Sequence, residues 1–267
     1  MTRTFHKMHG LGNDFVIIDA RDQPLKVTPQ LARAISDRKT GIGCDQLILL
    51  ENSSRAKLAM RIWNPDGGEV EACGNASRCV IALTGATSIE TAGGLIQGSA
   101  ADRANVEVTL GEPRFGWDEI PLAYPLDTTA LPMAWGELEH PIALSVGNPH
   151  LVFFVPDVAS VPLEQLGPTI ENDPIFPERL NVTVATIDGD RIQLRTWERG
   201  AGLTRACGTG ACATAVAALA SRRASGPLTV TMPGGSLTVG WTPGSPIVMQ
   251  GPATHVFSGT VTLEALA

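Results

Sequence analysis

Sliding the 267-residue chain over itself exposes a repeat that constrains the architecture more than any single motif. Ala72-Cys73-Gly74 returns as Ala206-Cys207-Gly208, 134 residues on, and Arg61-Ile62-Trp63 returns as Arg195-Thr196-Trp197 at the same offset. Gly12-Asn13, ahead of one apolar strand, returns as Gly147-Asn148 ahead of another at an offset of 135. Self-similarity at one offset marks a duplicated structural unit. The offset is half the chain length, so the expectation is two similar halves about a pseudo-two-fold axis, with the ligand site in the cleft where such sites prefer to form. Residues 1–113 with 254–267 are expected to make an N-terminal half carrying Cys73, the last strand returning to it, and residues 114–253 a C-terminal half carrying Cys207.

Strand-like runs dominate: Asp14–Asp19, Gln46–Glu51, Leu58–Trp63, Val106–Leu110, Leu151–Val155, Asn181–Ile187, Ile192–Trp197, Leu228–Met232 and Val256–Leu263. Several alternate apolar with polar residues, as in Arg191-Ile192-Gln193-Leu194-Arg195, which predicts a sheet with one wet face. Three helices are expected. The first is capped by Thr28 and opened by Pro29, running to about Arg38. The second follows Cys73 to about Thr84, with Gly85 as its stop, and the third follows Cys207 to about Arg223. The middle of the third, residues 210–220, is small and mostly apolar on every side, so it reads as a core helix wrapped by sheet.

Net charge is −7, which repels phosphate backbones and anionic membrane surfaces and argues against nucleic-acid binding. No apolar run approaches the roughly 18 residues a membrane span needs. Asn13, Asp14 and Asp19 interrupt the opening segment, which does not suit a secretory leader; the chain reads as cytoplasmic. Five cysteines in such a chain argue against structural disulfides. Their spacing contains no C-x-x-C, and structural zinc is disfavoured.

Each half carries a Cys at a helix start, within Cys73-Gly74-Asn75 and Cys207-Gly208-Thr209. Unpaired N–H groups and the positive end of the helix dipole are expected to lower such a thiol's pKa from about 8.5 toward neutrality, and the same N–H groups can hold a carboxylate. Two similar thiols suit stereoinversion beside a carboxylate, where a base takes the α-proton from one face and an acid returns one to the other. N–H groups rather than pyridoxal phosphate would stabilise the enediolate-like state. Cys79 and Cys212 point roughly 120° and 140° away from their helix-start partners and, with Cys44, read as small core residues. Arg199 can grip a carboxylate and Glu198 can meet an ammonium. His150, after Gly147-Asn148-Pro149, is a candidate to orient or deprotonate a thiol. A protein that uses Cys73 and Cys207 as a reversible redox switch on amino-acid binding remains an alternative.

Met8-His9-Gly10-Leu11-Gly12-Asn13-Asp14-Phe15, Gly41 to Gln46, Asn64-Pro65-Asp66-Gly67, Glu71-Ala72-Cys73-Gly74-Asn75, Gly147-Asn148-Pro149-His150, Glu198 to Gly202 and Ala206 to Gly210 together resemble the diaminopimelate epimerase family. The resemblance runs from about residue 5 to 260. It implies an α+β fold of two pseudo-symmetric halves, each a mostly antiparallel barrel-like sheet around a central helix. It also implies interconversion of LL- and meso-2,6-diaminopimelate on the way to lysine and peptidoglycan, with no cofactor and no metal. By position, it makes Cys73 and Cys207 the acid/base pair and puts the Gly74, Asn75, Gly208 and Thr209 N–H groups on the reacting carboxylate. Asn13, Gln46, Asn64, Asn148, Asn181 and Arg199 would hold the rest of the substrate, with Glu198 on an ammonium; His150 and Glu198 would tune the thiols. Partners are then a small-molecule substrate, no nucleic acid and no membrane, and a homodimer is compatible with the reading. A sister racemase of another amino acid on the same scaffold is the nearest alternative. Ala76-Ser77 and Leu203 depart from the family pattern at positions without an assigned role, which bears on helix packing.

Overall fold

The duplicated sequence folds into a duplicated strand order, seen in a computed structural model that divides into two units, Met1–Val108 with Gly251–Ala267 and Thr109–Gln250. Residues 2–71 and 73–266 are described; Met1, Ala72 and Ala267 lie outside them, and with Ala72 the first residue of the first Ala-Cys-Gly triplet. The first unit opens with β1 (Thr2–Gly10), β2 (Asn13–Asp19), α1 (Pro29–Ser36), β3 (Gln46–Glu51), β4 (Leu58–Trp63) and β5 (Glu69–Val70). It continues with α2 (Gly74–Thr84), β6 (Ser88–Thr91), β7 (Gly94–Ala100) and β8 (Val106–Thr109). In the second, a small hairpin of β9 (Ala134–Trp135) and β10 (Leu138–Glu139) precedes β11 (Ile142–Ser145), β12 (Pro149–Phe154), α3 (Leu163–Glu171), β13 (Asn181–Asp188) and β14 (Arg191–Glu198). Then come β15 (Gly202–Leu203), α4 (Gly208–Ala220), β16 (Leu228–Met232), β17 (Gly235–Gly240) and β18 (Val248–Gly251). The final strand, β19 (Thr254–Thr262), pairs antiparallel with β1.

Pairing is the same in both units. β1 runs antiparallel to β2, β2 parallel to β3, β3 antiparallel to β4, and β4 antiparallel to β5 and parallel to β6. β11 to β16 repeat that order, pair for pair. Register repeats too. Phe15 faces Gln46 and Leu47 faces Trp63; correspondingly, His150 faces Asn181 and Val182 faces Trp197. In each unit the first parallel connection runs through a short helix, α1 or α3, and the second through the central helix, α2 or α4, as parallel crossovers require.

The helices follow local chemistry where that chemistry is unopposed. Thr28 caps α1, its hydroxyl accepting the Leu31 N–H at 3.2 Å, with Pro29 in the first turn. Gly85, at φ +69°, ends α2 in the left-handed conformation that glycine adopts without strain. α4 ends at Ala220 rather than near Arg223, because Arg222 turns left-handed at φ +57°. The Arg222 and Arg223 N–H groups then return to the Leu219 and Ala218 carbonyls at 3.1 and 2.9 Å. α3 was not expected. Pro162 at its N-cap and Pro168 inside it read as breaks, yet Pro168 is tolerated while Leu163 and Ile170 bury against Leu151, Phe153 and Val184.

Burial explains the strand pattern. The wet face holds for β14, where Arg191 and Gln193 are exposed and Ile192 and Leu194 buried, but not for the central strands. Val16, Ile18, Leu47 and Leu49 pack with Ala32 and Ile35 of α1 on one side, while Phe15, Ile17, Ile48 and Leu50 are equally buried on the other. α4 is buried from Gly210 to Ala218, as a helix without a polar face must be. None of the described helices is long and apolar enough to cross a membrane.

Gly167 lets α3 lie on β14: a Cβ there would sit 2.5 Å from the Trp197 ring. Gly167→Ala would otherwise gain about 0.5–1 kcal/mol of helix propensity. Overpacking against the indole outweighs that gain, and urea unfolding should show a net loss of about 1–3 kcal/mol.

Candidate active site

Cys73 is the N-cap of α2, half-buried and in extended conformation, and its side chain makes no capping hydrogen bond. Its thiol donates to Asn13 Oδ1 at 3.9 Å. The same oxygen accepts Asn75 Nδ2 at 3.2 Å, while Asn13 Nδ2 donates to Asp45 Oδ2 at 3.1 Å. Asn75 is oriented in turn by Arg78, a fully buried guanidinium that donates to its Oδ1 at 2.8 Å. Gln46 Nε2 donates to Asn64 Oδ1 at 2.9 Å, leaving Gln46 Oε1 as a buried acceptor without a hydrogen-bond partner among the described residues. The turn carrying Asn13 is held by charge. Asp14 meets Lys7 and Arg38, which outweigh the cost of its partial burial and keep its carboxyl well below the usual range. Ser77, a departure from the family pattern, returns its hydroxyl to the Cys73 carbonyl at 2.9 Å and so fits the first turn.

The second unit builds the equivalent position differently. Cys207, only 4% exposed, caps α4 by accepting the Gly210 N–H at 3.3 Å, and its sulfur lies 3.5 Å from Thr209 Oγ1. Asn148 Nδ2 reaches the same hydroxyl at 3.3 Å. Thr204 donates to Glu198 Oε1. Burial first, and then the Glu198 carboxylate, push the Cys207 thiol well above its ordinary range, although the Thr209 and Gly210 bonds pull the other way. This corrects the expected fall toward neutrality for Cys207. A helix end contributes at most about 2 kcal/mol, less than the desolvation of a buried thiolate beside a carboxylate.

His150 stands at the register position that Phe15 fills in the first unit, and it is fully buried. Burial, with Arg199 nearby, pushes its pKa down to about 3, so the ring is neutral. Nε2 lies 3.0 Å from Asn148 Oδ1 and 3.5 Å from Asn181 Nδ2, and no hydrogen bond to Cys207 is found. A direct proton transfer between His150 and the thiol therefore does not match the geometry; the connection runs through Asn148 and Thr209. Asn181 is engaged at both ends, donating to the Pro149 carbonyl at 3.0 Å and accepting the Arg199 N–H at 3.0 Å. Arg199 is exposed, with its guanidinium on the Glu178 carbonyl at 3.1 Å.

Within the first unit, then, Asn13, Cys73 and Asn75 come together, while Gln46 and Asn64 are paired with each other, Gln46 following Asp45 in the chain. Within the second, Asn148, His150, Asn181, Glu198, Arg199, Cys207 and Thr209 form a connected set, with Gly208 in the first turn of α4. Cys44, Cys79 and Cys212 are buried as expected, and burial pushes Cys79 up to about 12. Asp45, Arg78, Glu171 and Thr204 were not singled out as site residues. Two left signals: Asp45 inside the Gly41 to Gln46 motif, and Arg78 as the one charge inside α2.

The buried neutral imidazole has a consequence for stability. Unfolded His150 titrates near 6.5 and folded His150 near 3. As pH falls through that interval the unfolded chain takes up a proton the native one refuses, so stability present above 6.5 is lost on acidification. Urea unfolding between about pH 6 and pH 4 should reveal a contribution approaching about 1.4 kcal/mol per pH unit that His150→Asn removes, with little difference above pH 7. Replacing Glu198 by Gln withdraws a negative charge from Cys207, so the pH profile of Cys207 modification by methyl methanethiosulfonate should move to lower pH; an unmoved profile would deny the coupling.

The diaminopimelate epimerase family model matches residues 5–116 and 142–256. The diaminopimelate epimerase of Rhizorhabdus wittichii is 63% identical over 98% of this chain and 96% of its own length. That of Sphingopyxis alaskensis is 62% identical over 97% of each, and that of Zymomonas mobilis 53% identical over the same shares. Among solved structures, a hydroxyproline epimerase from Agrobacterium vitis aligns with a TM-score of 0.70 at 18% identity, covering 97% of this chain and 91% of that one. A phenazine biosynthesis protein of the PhzF family from Bacillus anthracis aligns at 0.69 and 16%, covering 98% and 99%. The distant structures share the fold, and the near relatives share the sequence almost from end to end: the chain belongs to the diaminopimelate epimerase family.

Proposed function

We propose that this chain interconverts LL- and meso-2,6-diaminopimelate without a cofactor, using Cys73 and Cys207 as a reversible acid/base pair. One sulfur, as thiolate, takes the proton from the α-carbon. The electron pair left behind spreads onto the adjacent carboxylate, held by first-turn N–H groups at Gly74, Asn75, Gly208 and Thr209, and the other thiol returns a proton to the opposite face. Each turnover exchanges the two sulfurs' protonation states, so neither direction needs a third base. The observation that carries this reading is the matched occurrence of a Cys at the N-cap of a buried helix in each of two units with the same strand order.

The remaining polar residues divide by what their atoms already do. Gln46 Oε1 and the exposed Arg199 retain capacity for a ligand, Gln46 for an ammonium and Arg199 for a carboxylate, with Glu198 on an ammonium. Asn13, Asn64 and Asn148 serve substrate by exchanging an internal partner, whereas Asn181 serves by orienting Arg199. His150 tunes Cys207 through Asn148 and Thr209. This reading carries a cytoplasmic location, and a homodimer is compatible with it.

The test is to replace Cys73 and Cys207 separately by Ala and follow both LL-to-meso conversion and solvent deuterium uptake at the α-carbon. Each variant should lose at least about 100-fold in conversion. Near-normal turnover in either one would refute the two-thiol mechanism, and turnover of proline or 4-hydroxyproline in place of diaminopimelate would move the chain to a sister activity.

A further inference from the structure

Glu171 closes α3 with a carboxylate that is 4% exposed and belongs to no motif of the family pattern quoted above. Both its oxygens are occupied. Oε2 accepts the Trp197 indole N–H at 2.8 Å; Oε1 accepts the Gly200 backbone N–H at 2.9 Å and meets the Arg179 guanidinium at 3.4 Å. Trp197 immediately precedes Glu198, and Gly200 immediately follows Arg199. One carboxylate therefore brackets, from both sides, the dipeptide to which the proposed function gives the ammonium and carboxylate contacts. The turn it holds is tight: Ala201 N–H returns to the Glu198 carbonyl at 3.0 Å, and Gly200 sits at φ +73°.

The first unit shows that this is an architectural position rather than an isolated contact. There the crossover helix is α1, and its Arg33 donates to the Asp66 carbonyl at 2.8 Å, gripping the turn that carries Asn64. In both units, then, the helix between the parallel strands reaches across to the turn after the fourth strand. The polarity is reversed. A cation holds a carbonyl in one, and a carboxylate holds an amide and an indole in the other.

We propose that Glu171 is a positioning residue for Glu198 and Arg199, and that it thereby sets the affinity for the amino-acid end of the substrate those two residues meet. It acts through the backbone at 198–200 and does not touch substrate. A carboxylate is required because all of its partners are donors. An amide in its place would turn an NH2 group toward either the indole or the Gly200 N–H, leaving one buried donor facing another. The inference rests on the proposed function for its ligand, and on the hydrogen bonds alone for the clamp.

The experiment uses the full chain and Glu171→Gln, read by steady-state kinetics with LL-diaminopimelate well below the melting temperature and by hydrogen–deuterium exchange of the 198–203 segment. The expected result is a KM raised about tenfold, a kcat within about threefold of the parent, and exchange at 199–201 faster by about tenfold. A merely structural role would lower the melting temperature without this split between KM and kcat, and an unchanged KM in folded Glu171→Gln overturns the proposal. Should that variant not fold, Trp197→Phe removes one donor and keeps the Gly200 bond. It should raise KM by about threefold, and an unchanged KM there overturns the proposal equally. Absence of any diaminopimelate turnover in the unaltered chain would instead sink the functional reading. In that event the exchange measurement still decides the clamp, with unchanged protection in Glu171→Gln counting against it.

Discussion

The structure of each half turns on enclosing a helix whose first residue is a cysteine cap. α4 is made of Gly, Ala, Cys, Thr and Val through its buried stretch, so no side offers a surface that water would stabilise, and sheet must close over it. Small side chains let neighbouring strands approach closely, which fixes where the first turn of the helix points. The same enclosure strips water from Cys207. A helix start was expected to favour its thiolate, and desolvation with the nearby Glu198 carboxylate favours the thiol instead. In the proposed mechanism this favours Cys207 as the partner that carries the proton at rest, leaving the thiolate to Cys73.

The halves share a scaffold and differ in how they set their polar groups. Around Cys73 the amides of Asn13 and Asn75 are locked by charges behind them, Asp45 on one side and the buried Arg78 on the other. Around Cys207 the order runs through neutral links, from His150 to Asn148 to Thr209. Both are chains in which every amide has a defined orientation, which is how a short-range hydrogen-bond network holds donors ready for a developing charge. The relatives' near-complete alignment fits this picture, since the motifs that carry the family pattern are the segments that build the two networks.

Much of this could be read in the chain before any coordinates, and the part that could not has physical causes. The limits of α2 follow from Cys73 and Gly85, local signals that nothing in the fold opposes. The end of α4 escaped because Arg222 accepts a left-handed conformation usually left to glycine. α3 escaped because Pro162 and Pro168 read as breaks, while the packing of Leu163 and Ile170 that outweighs them is tertiary. Glu171 was lost with it. The thiols and the Asn13/Asn148 pair were legible because duplication repeats them at offsets of 134 and 135, whereas Arg199 was legible from its charge in the loop ahead of Cys207 and from the family pattern. Their ionisation and partners were not, since these depend on burial and on residues more than 30 positions away, such as Asp45 with Asn13 or Asn181 with His150.

The shared register of Phe15 and His150 says something about how far the halves have parted. One slot in a repeated lattice holds a hydrocarbon plug in the first copy and a titratable ring in the second, with Asn148 beside its Nε2 and its Nδ1 buried without a hydrogen-bond partner among the described residues. Two copies of the first half would assemble the same strands but lack the nitrogen that orders Asn148. Two copies of the second would be doubly exposed to acid. One repeated frame therefore carries two different fillings, and neither half could stand in for the other.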